Sequence, residues 1–473
     1  MRLSNMAHAL KTQTALSEQT ASTLSQTLAR HVSATAFDAL PAQAVAAAKR
    51  LILDTMAVAW AGSDATGIEA VKNTLASSGQ PSGGPACTLW GTGETAPMQE
   101  AAFLNSAAAA ALDFDSLHLE ALVHSQVVTL PALWALAEHF HLSGKQLLTA
   151  LVLADDINCR LGLSAQGHDG WFFTSIFGVF GAASASAKLL GLGEAGIAHA
   201  LGAALFQVSG TQQSMQEKSL TKRFMAAFAA KGGLFCALLA RAGVTAPAMP
   251  FEGKFGLFTL YQQCDPAVLL DGLGARYENS RITIKKYPSC GCSHALTEAA
   301  LLLVERHDIR PADVAVIRVR ISEFMNRMVG GEFDPQRNGA QVTGQFSAQY
   351  AVACVLFRRR FALEDIQPAN VTEQDVAACA RSVRVEIDPD NTGQIAPAEV
   401  IFEMRSGRRL SEKVEFFPGG TSGQIAQSTL HDKVYDCMRQ GIQPWSRDRI
   451  GRFIDRVQGL EAVCDMADLF KDL

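Results

Sequence analysis

The stretch GKQLLTALVLADDINCRLGL, residues 144–163, indicates the fold class of this chain. Its apolar residues recur at three- and four-residue spacing, the pattern of a helix with a buried face. Similar Ala-, Gly- and Leu-rich text runs from about residue 20 to 280, and it predicts a buried α-helical bundle. Other helices are predicted over residues 42–62, 100–115, 129–142 and 228–244.

The pattern changes after residue 280. Residues 314–321, VAVIRVRI, alternate apolar and charged side chains, which predicts a half-buried strand. Three further strands are predicted over 383–387, 399–404 and 412–417, and two helices over 293–308 and 346–360. Strands and helices mixed in this way predict an α+β domain with helices packed on a small sheet.

The sequence therefore predicts a mainly α protein with a large all-α helical domain and a smaller α+β domain. The helical domain covers residues 21–280, and the α+β domain covers 281–420. The tail, 421–473, returns to helix and is expected to pack back on the helical domain and complete it. Residues 1–20 are polar, have no apolar core of a secretory signal, and are expected to be disordered.

Composition limits the classes of function. The 473 residues are 48% hydrophobic and 18% charged, enough for a large core. A net charge of −5 gives no electrostatic case for a nucleic acid partner. The ten cysteines lie mostly in apolar helical text, which favours free thiols and a reducing cytoplasm. The sequence contains no window of about 18 uninterrupted apolar residues, so it predicts no membrane span.

Residues 285–294, KKYPSCGCSH, combine lysines with potential metal ligands. Cys290, Cys292 and His294 could bind a metal, but a zinc site commonly needs a second ligand pair, and none is evident. Pro288 restricts the residue before it to extended geometry, so Lys285 lies on a strand-to-helix connection. Such a turn can direct an ammonium group into a cavity that binds a carboxylate. The alternative is a solvated surface lysine.

Residues 111–128, ALDFDSLHLEALVHSQVV, place acids and histidines in a break between apolar segments. Buried polar groups are costly unless they are paired. The histidines at 118 and 124 can serve as acid or base near neutral pH. A solvated loop whose acids cap the next helix explains the same residues equally well, so both interpretations stay open.

Residues 215–233, MQEKSLTKRFMAAFAAKGG, place Lys222 and Arg223 before an Ala-rich helix. Cations at a helix start oppose the helix dipole unless an anion lies between them; the alternative is a snorkelling surface pair. Together, the lysines, histidines and acids suit proton abstraction next to a carboxylate. A cationic pocket would stabilise the enolate-like species, and this chemistry requires no cofactor.

These segments resemble the MmgE/PrpD family, which includes 2-methylcitrate dehydratase, cis-aconitate decarboxylase and iminodisuccinate epimerase. The resemblance runs over roughly residues 25–460 and is carried by ALDFDSLHLEALVHSQVVTLPALWALAE, GVFGAASASAKLLGL, LTKRFMAAFAAKGG and IKKYPSCGCSHALTEAA. It implies the same two domains, an active site in the cleft between them, a homodimer, and neither metal nor organic cofactor.

The resemblance also implies the site residues. Asp113 matches a family active-site acid, His124 a family histidine, and Lys222 and Lys285 the two family lysines. His294 matches the histidine that opens the next helix, where it either binds substrate or caps. The further substrate-binding candidates are His118, Lys286, Arg223 and Arg160, with a helix-end salt bridge as the alternative for Arg160.

The chain departs from the family pattern at three places. Ser116 and Leu117 stand where the family commonly has an acid and a hydroxyl, and Ser125 stands where it has proline. Phe172 occupies the place of a family histidine, and His168, four residues earlier, is not assumed to replace it. Because phenylalanine cannot move a proton, these departures favour a simpler proton transfer or a less polar substrate.

The leading functional prediction is a cofactor-independent lyase, a dehydratase similar to 2-methylcitrate dehydratase, acting on a small di- or tricarboxylic acid. Lys285 and Lys222 would bind carboxylate and stabilise the enolate, and His124 would be the acid or base with Asp113 orienting it or binding substrate. The alternatives are an epimerase or racemase of an imino- or amino-dicarboxylate, a cis-aconitate-type decarboxylase, and an inactive binding homologue.

Overall fold

The computed structural model describes residues 22–77, 86–168, 170–336, 339–418 and 425–473. The predicted leader, 1–20, lies outside these residues. The chain is mostly helical, and its largest sheet lies in the C-terminal part, which confirms the mainly α prediction.

Nine α-helices of the described chain lie before residue 220. They are α1 Leu24–Ala34, α2 Ala42–Ala61, α3 Ile68–Ser77, α4 Met98–Ala111, α5 Gln126–His139, α6 Gly144–Ser164, α7 Phe173–Leu189, α8 Glu194–Ala204 and α9 Gln213–Gln216. Eleven more helices follow along the described chain. They are α10 Met225–Arg241, α11 Leu257–Leu260, α12 Pro266–Leu270, α13 His294–His307, α14 Glu323–Val329, α15 Ala340–Gln345, α16 Ala348–Arg358, α17 Pro368–Val371, α18 Gln374–Ser382, α19 Gln427–Met438 and α20 Arg447–Gln458.

Helices α7 and α10 pack against each other. Their contact is close because a Cβ added to Gly233 would lie 2.8 Å from the backbone oxygen of Val179, a distance that only glycine allows. Helix α6 begins at a capping box in which Ser143 and Gln146 satisfy each other's backbone amides. Small residues and good caps thus produce the closely packed bundle that the sequence predicts.

A four-stranded sheet follows, made of β5 Val314–Ile321, β6 Arg384–Ile387, β7 Ala398–Met404 and β8 Arg409–Val414. The order of the strands across the sheet is β6-β5-β7-β8. Strands β5 and β6 are parallel and the other pairs are antiparallel, with α13 packed on one side. The predicted strand 412–417 is placed too late, because a tight turn with Gly407 at φ 85° starts β8 at Arg409.

Two short antiparallel pairs were not predicted. Strand β1, Cys87–Thr88, pairs with β2, Thr95–Ala96. Strand β3, Leu117–His118, pairs with β4, Ile282–Thr283. The second pair matters for function, because it joins the acidic segment after α4 to the segment that carries Lys285.

The tail contacts the N-terminal helices. Helix α19 packs against α2, and a Cβ on Gly144 would lie 1.9 Å from the backbone oxygen of Leu460. The tail thus lies against the helical part, and the division at 280 and 420 stays a prediction.

The stretch Leu220–Arg241 is long and apolar enough to cross a membrane by length and composition alone. However, 67% of its apolar window is buried inside the protein, and its helix α10 packs against α7, α4 and α8. This is the packing of a core helix.

Candidate active site

A sharp turn after helix α4 positions the first acid. Asp113 has a φ of 52°, in the left-handed region that non-glycine residues seldom adopt, and its side chain is buried. One carboxylate oxygen contacts the ammonium of Lys222, which enters from the 3₁₀ turn before α10. The anion that the sequence required near Lys222 is therefore Asp113.

Lys285 reaches the same carboxylate from the other side. The pairing of β3 with β4 brings it beside the Asp113 turn, and its side chain is 0% exposed. Its Nζ donates to the backbone oxygen of Asp113 at 2.7 Å and to Oδ2 at 3.1 Å, and it lies 4.0 Å from Asp115 Oδ1. Lys285 is therefore not a surface lysine.

The charges in this cluster stabilise one another. Burial acts to raise the pKa of Asp113, but the ammonium groups of Lys222 and Lys285 lower it below its ordinary range. Burial acts to lower the pKa of Lys285, and the carboxylates of Asp113 and Asp115 raise it above its usual value. The site thus holds Asp113 ionised and Lys285 charged, with the ammonium of Lys222 against the same carboxylate.

His124 pairs with Asp115, which the sequence analysis did not select as a site residue. The Nδ1 atom of His124 lies 2.7 Å from Asp115 Oδ2, and the side chain is 18% exposed. Burial acts to raise the pKa of Asp115, but His124 and Lys285 lower it. Asp115, rather than Asp113, therefore orients the imidazole. The sequence signal for Asp115 was the DFD motif, in which a second acid follows Asp113 after one residue.

A small cavity of about 70 Å³ opens beside these groups. Asp113, His124 and Lys222 line its polar side, and Lys285 lies directly behind Asp113. His168 and Phe172 also line it, and His168 Nε2 is 3.1 Å from Gln212 Nε2. Four predicted site residues, Asp113, His124, Lys222 and Lys285, thus meet at one place.

His118 and Arg160, both predicted to bind substrate, do not line this cavity. His118 Nε2 is 3.4 Å from Glu278 Oε2, and its Nδ1 accepts from the Ala121 amide. Arg160 pairs with Asp156 at 2.8 Å, and its other N–H groups donate to four backbone oxygens of residues 269–276. Every N–H group of Arg160 therefore has an acceptor, which resembles the helix-end salt bridge given as the alternative for this residue.

Arg223, Lys286 and His294 also lie outside the lining of this cavity. The buried Arg223 donates to the Thr66 backbone oxygen and to Gln341 Oε1, so it is neither a surface residue nor a carboxylate anchor here. Lys286 pairs with Glu298 at 2.9 Å on the surface.

The buried His294 opens α13 without capping it. Its ring stacks on Phe417 at 4.6 Å, and its Nε2 is 3.3 Å from the Ser289 backbone oxygen. Burial, together with the Lys285 charge, lowers its pKa well below the usual value. A neutral, stacked imidazole of this kind packs in the core and does not reach the cavity.

Cys290 and Cys292, which the sequence offered as potential metal ligands, line the cavity. The Cys292 thiol lowers the pKa of Cys290, and Lys285 acts in the same direction. In the described ranges, no three His, Cys, Asp or Glu side chains are grouped so that they could hold a metal ion.

Comparison with known proteins identifies the family of the chain. The MmgE/PrpD N-terminal domain matches residues 26–268, and the MmgE/PrpD C-terminal domain matches residues 287–457. The chain belongs to the MmgE/PrpD family. The resemblance inferred from the sequence is thereby confirmed.

Its MmgE/PrpD relatives include cis-aconitate decarboxylases. The Aspergillus terreus cis-aconitate decarboxylase is 30% identical over 92% of this chain and 93% of its own length. The cis-aconitate decarboxylase-like protein oryM of Aspergillus oryzae is 29% identical over 91% and 93%. The Homo sapiens cis-aconitate decarboxylase is 24% identical over 89% and 88%. These likenesses support a lyase-type enzyme.

Proposed function

We propose that this chain is a cofactor-independent lyase that decarboxylates a small unsaturated carboxylic acid. The observation that carries the proposal is the His124–Asp115 pair, 2.7 Å apart, beside the cluster of Lys222, Asp113 and Lys285. A dehydratase is the leading prediction from sequence. The decarboxylases among the relatives now give more support to decarboxylation.

The proposed reaction breaks the bond between a carboxylate carbon and an allylic carbon, and carbon dioxide leaves. The electron pair moves through the neighbouring double bond to the carbon next to a second carboxylate, giving an enolate-like species. Lys222, with Lys285 behind it, offsets this negative charge. Protonated His124 gives its proton to that carbon and later regains one from water. Asp115 holds Nδ1, which leaves Nε2 to face the substrate.

Dehydration of a hydroxy acid such as 2-methylcitrate is the second candidate. It requires a base that removes a carbon-bound proton and an acid that protonates the leaving hydroxyl. The observation in its favour is that a second imidazole, His168, lines the same cavity as His124. Epimerisation needs two such groups on opposite faces of one carbon.

Proton NMR in deuterated water distinguishes these reactions. The panel is cis-aconitate, 2-methylcitrate, citrate and iminodisuccinate. Loss of one carboxylate carbon with deuterium in the product supports decarboxylation, and a new alkene from a hydroxy acid supports dehydration. Deuterium exchange without a new carbon skeleton supports the epimerase. The activity should disappear in His124→Gln and persist in His141→Gln, whose imidazole is 64% exposed. Binding without any turnover points to the inactive homologue.

We also propose that the protein is a homodimer, as the family resemblance implies. Phe228 and Phe235 lie seven residues apart on helix α10 and are 60% and 41% exposed, although the opposite side of this helix is buried. Exposed aromatic side chains on one helix face suit a self-complementary interface. Light scattering after size exclusion should give twice the chain mass, and Phe228→Ser should reduce it. A monomer at all concentrations rejects the dimer. The cytoplasmic location stays a prediction.

A further inference from the structure

The cavity is lined by both polar and apolar side chains. Besides Asp113, Lys222 and His124, most of the lining side chains are aromatic rings, methionines or aliphatic groups. The apolar wall is formed by Phe172, Phe173, Phe324, Met328, Met215 and Phe346, whose ring centre lies 5.0 Å from the Lys222 ammonium. Phe172 and Phe173 lie at the start of α7, and Phe324 and Met328 lie four residues apart on α14, so regular elements fix this apolar wall in place.

The positive charges of the site are already matched. Lys222 is the one lysine among the described lining residues, and no arginine is found there. Lys222 and Lys285 are paired with Asp113, and Lys285 also faces Asp115, so two ammonium groups stand against two carboxylates. The two ammonium groups and the two carboxylates balance, so a bound acid meets no net formal charge from this cluster before a histidine is protonated.

A third carboxylate would be poorly accommodated. It would have to leave water in a cavity whose one described lining lysine is already paired with Asp113, which is costly for a charged group. A hydrocarbon substituent of the same size would gain from the same wall, because it buries apolar surface. The small volume of about 70 Å³ leaves room for a short substituent only.

We propose that the substrate is an alkyl-substituted dicarboxylic acid, with a short hydrocarbon arm where a tricarboxylic acid has its third carboxylate. The two carboxylates lie at the polar side, near Lys222 and His124, and the arm lies against the wall that includes Phe172. This inference rests on the proposed function, because it takes this cavity as the substrate site.

Binding of saturated acids, which cannot react, tests the inference without requiring turnover. Calorimetric titration would compare glutarate, 3-methylglutarate, 3-ethylglutarate and 3-propylglutarate with tricarballylate, the saturated acid that carries a third carboxylate at the same carbon. We expect Kd to fall about fourfold for each added methylene, and tricarballylate to bind more weakly than 3-propylglutarate. Tighter binding of tricarballylate, or no binding by any member of the series, overturns the proposal. If the ligands bind in the expected order but no substrate is converted, the lyase proposal is rejected and the binding proposal stands.

Two variants locate the effect on the apolar wall. Phe172→His should lower the affinity for 3-propylglutarate relative to tricarballylate by about tenfold, because the imidazole makes the wall polar. Phe255→His changes a phenylalanine that is 69% exposed and should leave the ratio unchanged. An unchanged ratio of the two affinities in Phe172→His counts against the proposal. If that variant does not fold, the ligand series on the unaltered protein decides the proposal.

Discussion

Replacement of Lys433 by methionine should destabilise the protein strongly, although this residue lies outside the cavity lining. Lys433 projects from α19, and its Nζ is 2.7 Å from Asp54 Oδ1 on α2. The same ammonium donates to the backbone oxygens of Phe114 at 2.8 Å and Lys285 at 3.0 Å. It thus connects the tail to both segments that form the site.

The size of the loss follows from burial. Asp54 is 0% exposed, and Lys433 is its one ion-pair partner among the described residues. Removal of one member of a buried pair leaves an uncompensated charge and costs about 3–5 kcal/mol. Burial already raises the pKa of Asp54, and Lys433 opposes that rise. Without the lysine, this pKa rises further, so the loss should be larger at pH 8 than at pH 5, where Asp54 can bind a proton.

Urea unfolding of three variants measures this effect. Lys433→Met should lower the free energy of unfolding by the amount above, and adding Asp54→Asn should recover part of it, because the second change removes the unpaired charge. Lys471→Met is the control, since Lys471 pairs with Asp468 at 2.9 Å with its side chain 70% exposed. A loss below about 1 kcal/mol, or no recovery in the double variant, would refute the reasoning.

Three further predictions concern the site and its support. Asp115→Asn should lower kcat on the order of 100-fold, because His124 loses its carboxylate partner. Ser116→Ala, next to it, should keep the rate, and equal initial rates in the two variants would contradict the pairing. Lys222→Met should raise KM about tenfold or more, since the substrate carboxylate loses its cation; an unchanged KM argues against that role. Burial raises the pKa of Asp155 from 3.8 to about 7. The folded state therefore retains this proton longer than the unfolded chain, and stability should fall by up to about 4 kcal/mol as pH rises through this range. Asp155→Asn should flatten this slope in urea unfolding at pH 5 to 8, and parallel slopes would exclude Asp155 as its cause.

The sequence predicted the secondary structure well where a single periodicity dominates. The prediction for 144–163 falls within one residue of α6, Gly144–Ser164, and strand 314–321 coincides with β5. Long apolar repeats of this kind fix local structure because only one face can be buried. The strand predicted at 412–417 was displaced, because the hairpin turn at Gly407, and not the alternation of side chains, sets where β8 begins.

The composition of the site was predictable only in part. The DFD turn, the lysine before the Ala-rich helix and the lysine before Tyr-Pro were each visible as polar residues in apolar text. Their roles were less visible, because a buried polar residue can serve the fold as well as the chemistry. Arg160 and His118 are also polar residues in apolar text. In the core, however, Arg160 donates to backbone oxygens and His118 contacts Glu278.

The sequence by itself therefore determined the helical class, the four-stranded α+β part and the residue types of the site. Only the tertiary structure decided that Asp115 pairs with His124 and that Asp113 lies between two lysines, which come from 109 and 172 residues further along the chain. The reason is physical. Local patterns set helices and strands over a few residues, whereas a charge cluster depends on a turn with positive φ at Asp113 and on the β3–β4 pairing.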